Sequence, residues 1–178
     1  MKIALVLLAS FIALHPALAA PTVTAPTVQL GIDVLLEQDS TYISMVQGKR
    51  IGLVTNQSGV DAALVPTVDR LADDPRVSLV RLFGPEHGIR GEVPAGEKVD
   101  DGRDPQTGVP VVSLYGKDRK PSKAALEGVD MLMFDIQDVG SRTYTYISTL
   151  GEVMRACAET NIPLVVLDRP NPLSGLHF

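Results

Sequence analysis

Three side chains suited to acid–base and anion chemistry lie within five positions of one another: Glu86, His87 and Arg90. The apolar run at 77–83 before them predicts a β-strand, which the proline at 85 ends because proline cannot continue a central ladder. Nearby glycines let the backbone bend close to a ligand. The strand therefore delivers a carboxylate, an imidazole and a guanidinium to the edge of a sheet. An ordinary solvated turn has the same residue types and is the alternative interpretation.

Predicted strands alternate with predicted helices along the chain. The strands are expected at 49–55, 77–83, 109–114, 129–136 and 162–167. The helices are expected at 65–72, 122–127 and 144–160. Residues 30–36 predict either a short strand or the start of a helix. The alternation indicates a Rossmann-like α/β fold, an open, mostly parallel sheet with helices on both faces.

Several of these predicted strands end in polar residues. Ligands of open α/β folds bind outside the carboxyl ends of the strands. That rule places one set of side chains on a common rim: Asn56, Glu86, His87, Asp135, Asp138, Arg142, Asp168 and Arg169. Residues 92–108 are rich in Gly, Pro, Asp and Glu and predict a long loop, which we interpret as a lid or a substrate rim.

The composition narrows the class of protein. With 178 residues, 45% hydrophobic and 21% charged, the chain is long enough for one globular domain with a sizeable core. A formal net charge of −5 without a basic run argues against nucleic acid as a partner. No glycine-rich dinucleotide motif or phosphate loop is present, and no cofactor is predicted. A single cysteine, Cys157, allows neither an internal disulfide nor a thiolate metal site, and we expect it to be buried.

The first 20 residues have the parts of a secretory signal. Lys2 precedes an apolar stretch at 3–14, and a small-residue cleavage pattern follows at 17–19. The apolar stretch is shorter than the ~20 residues of a spanning helix, so no stable membrane anchor is predicted. Residues 21–29 predict a flexible leader and 30–178 the α/β domain. Export to the periplasm or the extracellular space follows.

Four polar motifs occur in an order that resembles one bacterial family. They read VTNQSG at 54–59, FGPEHGIRG at 83–91, FDIQDVGSRTY at 134–144 and LDRPNP at 167–172. The family was formerly known only as a domain of unknown function. It now comprises the exo-β-N-acetylmuramidases of peptidoglycan recycling. The resemblance covers roughly residues 30–175.

The resemblance implies a glycosidase that removes N-acetylmuramic acid from the non-reducing end of peptidoglycan fragments. It also implies a Rossmann-like N-terminal domain followed by a second domain, with the active site in the cleft between them. Members of the family continue well beyond the motif at 167–172, so this chain is expected to lack the second domain. The catalytic glutamate of the family corresponds to Glu86.

Glu86 is the candidate general acid, since hydrolysis of a glycosidic bond usually needs a carboxylic acid and a second carboxylate or a substitute. His87 is predicted to orient Glu86 or to bind the sugar, unless it only packs against the backbone. The nearest candidates for the second group are Asp135 and Asp138. The acetamido group of the substrate is the other possibility.

The remaining candidates are predicted to bind the sugar. Arg90 and Arg142 suit the lactyl carboxylate of muramic acid, because a guanidinium matches a carboxylate bidentately. Either arginine could instead pair with an aspartate of the 134–144 motif. Asn56 suits sugar hydroxyls, although an asparagine that forms a turn is an equal explanation. Tyr144 is expected to face the rim.

Two other functions are compatible with the same residues. One is a metal-dependent hydrolase, since carboxylates and His87 are plausible ligands, but no spacing typical of a metal site supports it. The other is a non-catalytic module that binds muropeptides. At the last motif, Asp168 and Arg169 are expected to form a local ion pair that holds the loop.

Overall fold

The computed structural model describes residues 28–94, 96–97, 100–116 and 119–174, and its centre is one sheet. The strands lie in the order β3-β4-β2-β1-β5-β6. They are β1 (Arg50–Thr55), β2 (Ser78–Gly84), β3 (Gly102–Arg103), β4 (Pro110–Ser113), β5 (Met131–Asp135) and β6 (Leu164–Val166). All neighbouring pairs are parallel except β3 and β4. The prediction of an open, mostly parallel sheet is confirmed.

Helices cover both faces of the sheet, as predicted. One face packs against α1 (Gly31–Leu36), a 3₁₀ helix (Thr41–Met45) and α2 (Thr67–Asp73). The other face packs against α3 (Tyr146–Thr160). Each face has its own cluster of buried apolar side chains, and Cys157 lies in the cluster under α3 as a free, buried thiol. The sheet is thus the middle of three layers.

Most predicted elements end within two residues of the observed ones. Residues 30–36 form a helix, because Ile32, Leu35 and Leu36 at helical spacing all reach the core. The predicted helix at 122–127 is wrong. That segment is a run of turns, since Leu126 is its one buried apolar side chain, whereas three buried side chains anchor the equally short α1 and offset helix nucleation.

The strand order reverses at the centre of the sheet. The chain runs outward from β1 through β2 and β4, and then crosses to the opposite side of β1 to form β5 and β6. All five residues of β5 are buried, as the continuous apolar run predicts. The carboxyl ends of the parallel strands therefore meet at one edge with a switch point at β1 and β5, where α/β folds form binding crevices.

The predicted signal and most of the leader, residues 1–27, lie outside the described residues. Within the described part of the chain, no helix has the length and apolar character needed to cross a membrane.

Candidate functional site

Glu86 lies two positions after the end of β2, where two hollows adjoin. One hollow of about 320 Å³ is lined by Glu86, by Tyr115 and Arg119 after β4, and by the first turns of α3. A second hollow of about 200 Å³ is lined by Glu86 and His87 and by residues 143–146. The end of β2 thus presents its carboxylate to a concave surface between β4 and α3, at the edge that the sequence predicts.

One oxygen of Glu86 is held by two donors. The Oε1 atom accepts hydrogen bonds from the Tyr115 hydroxyl and from the backbone N–H of Gly96, both at 3.2 Å. The Oε2 atom makes no hydrogen bond with a described residue. Burial, followed by the hydrogen bond to Glu86, raises the pKa of Tyr115 above its usual value of 10.0, so at neutral pH this phenol remains a donor. Tyr115 was not predicted as a site residue, because nothing in its local sequence marks it.

His87 lies beside Glu86 in a left-handed backbone conformation, with φ of 74°, which non-glycine residues seldom adopt outside constrained sites. Two contacts with Val93 hold it there. The Val93 N–H donates to the His87 carbonyl at 3.1 Å, and the Nδ1 atom of the ring lies 3.1 Å from the Val93 carbonyl. Because a carbonyl can only accept, Nδ1 must carry a hydrogen. The other ring nitrogen, Nε2, makes no hydrogen bond with a described residue and is available to a ligand.

Tyr144 and Tyr146 form an edge-to-face aromatic pair at the start of α3, with ring centroids 5.6 Å apart. Tyr144 is 47% exposed and lines the smaller hollow, whereas Tyr146 is buried. Burial raises the pKa of the Tyr146 hydroxyl, and the charges of Glu86 and Asp138 add to that effect. Tyr146 is therefore a site residue that the sequence analysis missed. Its position two residues after Tyr144, at the start of the predicted helix, was the available signal.

Asn56 is buried between the turn after β1 and Tyr146. Its Oδ1 atom accepts hydrogen bonds from the N–H and the hydroxyl of Ser58, at 2.9 and 2.6 Å. The side-chain amide of Asn56 lies close to Tyr146 and lowers the pKa of its hydroxyl, against the effect of burial. The Nδ2 atom of this amide makes no hydrogen bond of normal geometry with a described residue. The structure thus supports a turn-forming role for Asn56 and leaves one buried amide donor next to the site.

The guanidinium group of Arg90 lies in a cluster with two aspartates. Its Nε and Nη2 atoms donate to Asp104 at 2.6 and 2.9 Å, and its Nη1 and Nη2 atoms donate to Asp69 at 3.1 and 2.6 Å. Four of its N–H donors are thereby used. Neither partner is an aspartate of the 134–144 motif. Arg90 joins α2 to the loops around β3, and a substrate carboxylate would have to displace an existing partner.

Acid should weaken this cluster in a defined range. Hydrogen bonds from Arg90, followed by those from Thr107, hold the pKa of Asp104 at about 2, below the usual 3.8. A carboxylate with a lowered pKa stabilises the fold fully above its unfolded value and loses that contribution as the pH falls through its folded value. We expect the free energy of unfolding to fall between pH of about 5 and 2, and to fall less in Asp104→Asn. Urea unfolding at several pH values measures this.

The exposed Asp39→Asn variant removes a carboxylate without touching the cluster and is the matched control. An Asp104→Asn variant with the same loss of stability in acid as the wild type would contradict the assignment.

Asp135, at the end of β5, is buried in an ion pair. Its side chain is 1% exposed and accepts hydrogen bonds from the Nε and Nη2 atoms of Arg169 at 2.6 and 2.8 Å, and from the Thr67 hydroxyl of α2. Arg169 also donates to the Val60 carbonyl at 2.8 Å. The expected ion pair between Asp168 and Arg169 is therefore wrong. Adjacency in the sequence suggests Asp168 as the partner of Arg169. In the fold, the pairing of β6 with β5 brings Arg169 next to Asp135 instead.

Asp138 and Arg142 of the 134–144 motif do not line the hollows around Glu86, unlike Thr143 and Tyr144 at the end of that motif. The Oδ1 atom of Asp138 accepts from the N–H of Gly140 at 2.7 Å, and Asp138 lines a different hollow between β5, β6 and α3. Arg142 is exposed and makes no hydrogen bond with any residue that the structure describes. Among those same residues, no group of three His, Cys, Asp or Glu side chains is arranged to hold a metal ion.

A family model described as the N-terminal part of the exo-β-N-acetylmuramidase NamZ matches residues 51–178. This chain belongs to that family. Peptidoglycan β-N-acetylmuramidase NamZ of Bacillus subtilis (strain 168) is 53% identical over 157 residues, which are 88% of this chain and 37% of that protein. The residues that the family model matches, 51–178, include all four polar motifs and the residues that line the hollows around Glu86.

Two crystal structures of DUF1343 family proteins from Bacteroides fragilis NCTC 9343 are similar to the NamZ N-terminal fold seen here. The first has a TM-score of 0.75 and 50% identity, and covers 84% of this chain and 36% of its own. The second has a TM-score of 0.66 and 37% identity, and the match covers 83% of this chain and 36% of the second structure's chain. This chain thus spans a little over a third of the length of these relatives.

Proposed function

We propose that this chain carries the acid–base residue of an exo-β-N-acetylmuramidase, a glycosidase that releases N-acetylmuramic acid from the non-reducing end of peptidoglycan fragments. The observation that carries the proposal is the position of Glu86, at the carboxyl edge of the sheet where two hollows adjoin, in a chain of the NamZ family. The relative from Bacillus subtilis is named for this activity, which supports the substrate class.

Glu86 acts as the general acid and then as the base. Its proton passes to the glycosidic oxygen as the bond from that oxygen to C1 breaks. In the second step its carboxylate takes a proton from the water that attacks C1. The substrate's own acetamido oxygen is the internal nucleophile: it forms a bond to C1 in the first step as the leaving group departs, and the attacking water displaces it from C1 in the second step. This choice is supported because the ion pair with Arg169 occupies Asp135, and Asp138 lines a different hollow.

The lactyl carboxylate of muramic acid requires a cation near Glu86. Arg90 already pairs with two aspartates. We therefore assign the binding of the lactyl carboxylate to arginines that make no hydrogen bond with a described residue. Arg119 lines the larger hollow together with Glu86, and Arg142 lies exposed before α3. A guanidinium in either place can bind a carboxylate through two parallel hydrogen bonds.

The predicted signal at 1–20 supports export, and we place the activity in the periplasm or outside the cell. Peptidoglycan fragments occur there, and the acidic chain carries no basic run that would favour nucleic acid.

The test compares two chromogenic substrates that differ only in the lactyl group, a β-N-acetylmuramide and a β-N-acetylglucosaminide. We expect the purified chain to hydrolyse the muramide faster by on the order of 10- to 100-fold, the worth of a charge-assisted hydrogen bond. Equal rates, or faster hydrolysis of the glucosaminide, would contradict the proposed specificity. If the chain cleaves neither substrate but binds N-acetylmuramic acid in calorimetry, it is a binding module and the proposed activity is wrong.

A further inference from the structure

We propose that Tyr115 is a positioning residue for Glu86: its hydroxyl, together with the N–H of Gly96, fixes the transferable proton of Glu86 on the Oε2 atom. This inference rests on the proposed function, in which Glu86 is the general acid. It assigns a role to a tyrosine that stands outside the four polar motifs and follows a different strand.

The geometry distinguishes the two oxygens of one carboxyl group. Oε1 accepts from the Tyr115 hydroxyl and from Gly96, each at 3.2 Å, whereas Oε2 has no hydrogen bond with a described residue. The two donors come from separate segments, one after β4 and one from the 92–108 loop. Glu86 is therefore held from two sides at a single atom.

This asymmetry decides where a proton can reside. An oxygen that already accepts two hydrogen bonds cannot take up a proton without losing a donor, because three hydrogens would then point at one atom. When Glu86 is protonated, the hydrogen lies on Oε2, the only oxygen free to offer it to a ligand. If the proton were on Oε1, it could not reach the glycosidic oxygen. Holding the proton on Oε2 therefore raises the fraction of Glu86 that is ready to transfer it, and the rate rises accordingly.

The anchoring of Tyr115 supports this role. Its own backbone N–H donates to the Ser113 hydroxyl at 3.2 Å, which fixes the residue to the end of β4. Its ring lines the larger hollow beside Glu86. A side chain that only filled space would not need its hydroxyl directed at the carboxylate, so the oxygen of Tyr115 is the atom to test.

The experiment uses Tyr115→Phe and two β-N-acetylmuramides that differ in leaving group. Phenol is a poor leaving group and needs a proton from Glu86, whereas 2,4-dinitrophenol leaves without one. Because kcat/KM reports cleavage of the glycosidic bond, we expect it to fall on the order of 10- to 100-fold for the phenyl substrate and by about threefold or less for the dinitrophenyl substrate. Tyr42→Phe, which removes an exposed phenol hydroxyl beside β6, at the opposite edge of the sheet from β4, is the matched control.

The outcomes separate the possible roles. Equal losses for both leaving groups would mean that Tyr115 binds the sugar or stabilises the fold, and no loss for either would mean that the hydrogen bond is unimportant; each result overturns the inference. Rapid hydrolysis of the dinitrophenyl substrate shows at the same time that the variant is folded. A wild-type chain that cleaves neither substrate would overturn the proposed function itself, and the role of Tyr115 with it.

Discussion

Glu86→Gln is expected to abolish hydrolysis of a phenyl β-N-acetylmuramide while the chain stays folded and still binds the sugar. The glutamine keeps the shape of the side chain, and its carbonyl oxygen can still accept from Tyr115 and Gly96. It cannot release a proton to the leaving group or take one from water. General acid–base catalysis is worth about 10²- to 10⁴-fold, and a loss in that range is expected in kcat. Initial rates, with calorimetry for binding, provide the measurement.

Glu127→Gln makes the same change at an exposed carboxylate in the turn before β5 and is the matched control. A Glu86→Gln variant that retains more than about a tenth of wild-type turnover would exclude Glu86 as the acid. A pure binding module would show no turnover in the wild type and little change on substitution. Inhibition of the wild type by a chelator would instead favour the metal-dependent alternative.

The fold was largely predictable because its signals are local. The continuous apolar run that becomes β5, and the Gly-Pro pair after β2, each identify an element from adjacent residues alone. The parallel arrangement then places the ends of these strands at one edge without further information. The failure at 122–127 has a different cause, since a helix this short depends on packing against the core, and only one of its apolar side chains, Leu126, is buried there.

The site was less predictable because its pairings span long distances along the chain. Arg90 has the residue type of a ligand-binding cation, but its partners lie 21 and 14 positions away, in α2 and beside β4. The hydrogen bond between Glu86 and Tyr115 spans 29 positions. A single sequence shows which residues reach the edge of the sheet. It does not show which of them are already paired there.

Arg169→Met is expected to cause the largest loss of stability among single changes near the site. Arg169 is 8% exposed and neutralises Asp135, which is 1% exposed. Without it the carboxylate keeps, among the described residues, only the Thr67 hydroxyl as a donor, and the Val60 carbonyl loses the donor that Arg169 provides. Removing one partner of a buried ion pair costs about 3 to 5 kcal/mol, because the remaining charge is uncompensated. The midpoint of urea unfolding should fall with an unchanged slope.

The matched control is Arg50→Met, which breaks the exposed pair with Asp130 on the same sheet. Exposed pairs contribute little, so the midpoint of this variant should stay near that of the wild type. If the two variants lose equal stability, the ion pair of Asp135 and Arg169 is not the structural clamp inferred here. That result would make Asp135 a candidate for substrate binding again. Its ion pair with Arg169 would then not be needed for stability, and the carboxylate would be available to a ligand. A large loss confined to Arg169→Met would assign Asp135 to the framework of the fold, and would favour Glu86 over Asp135 as the carboxylate that reacts.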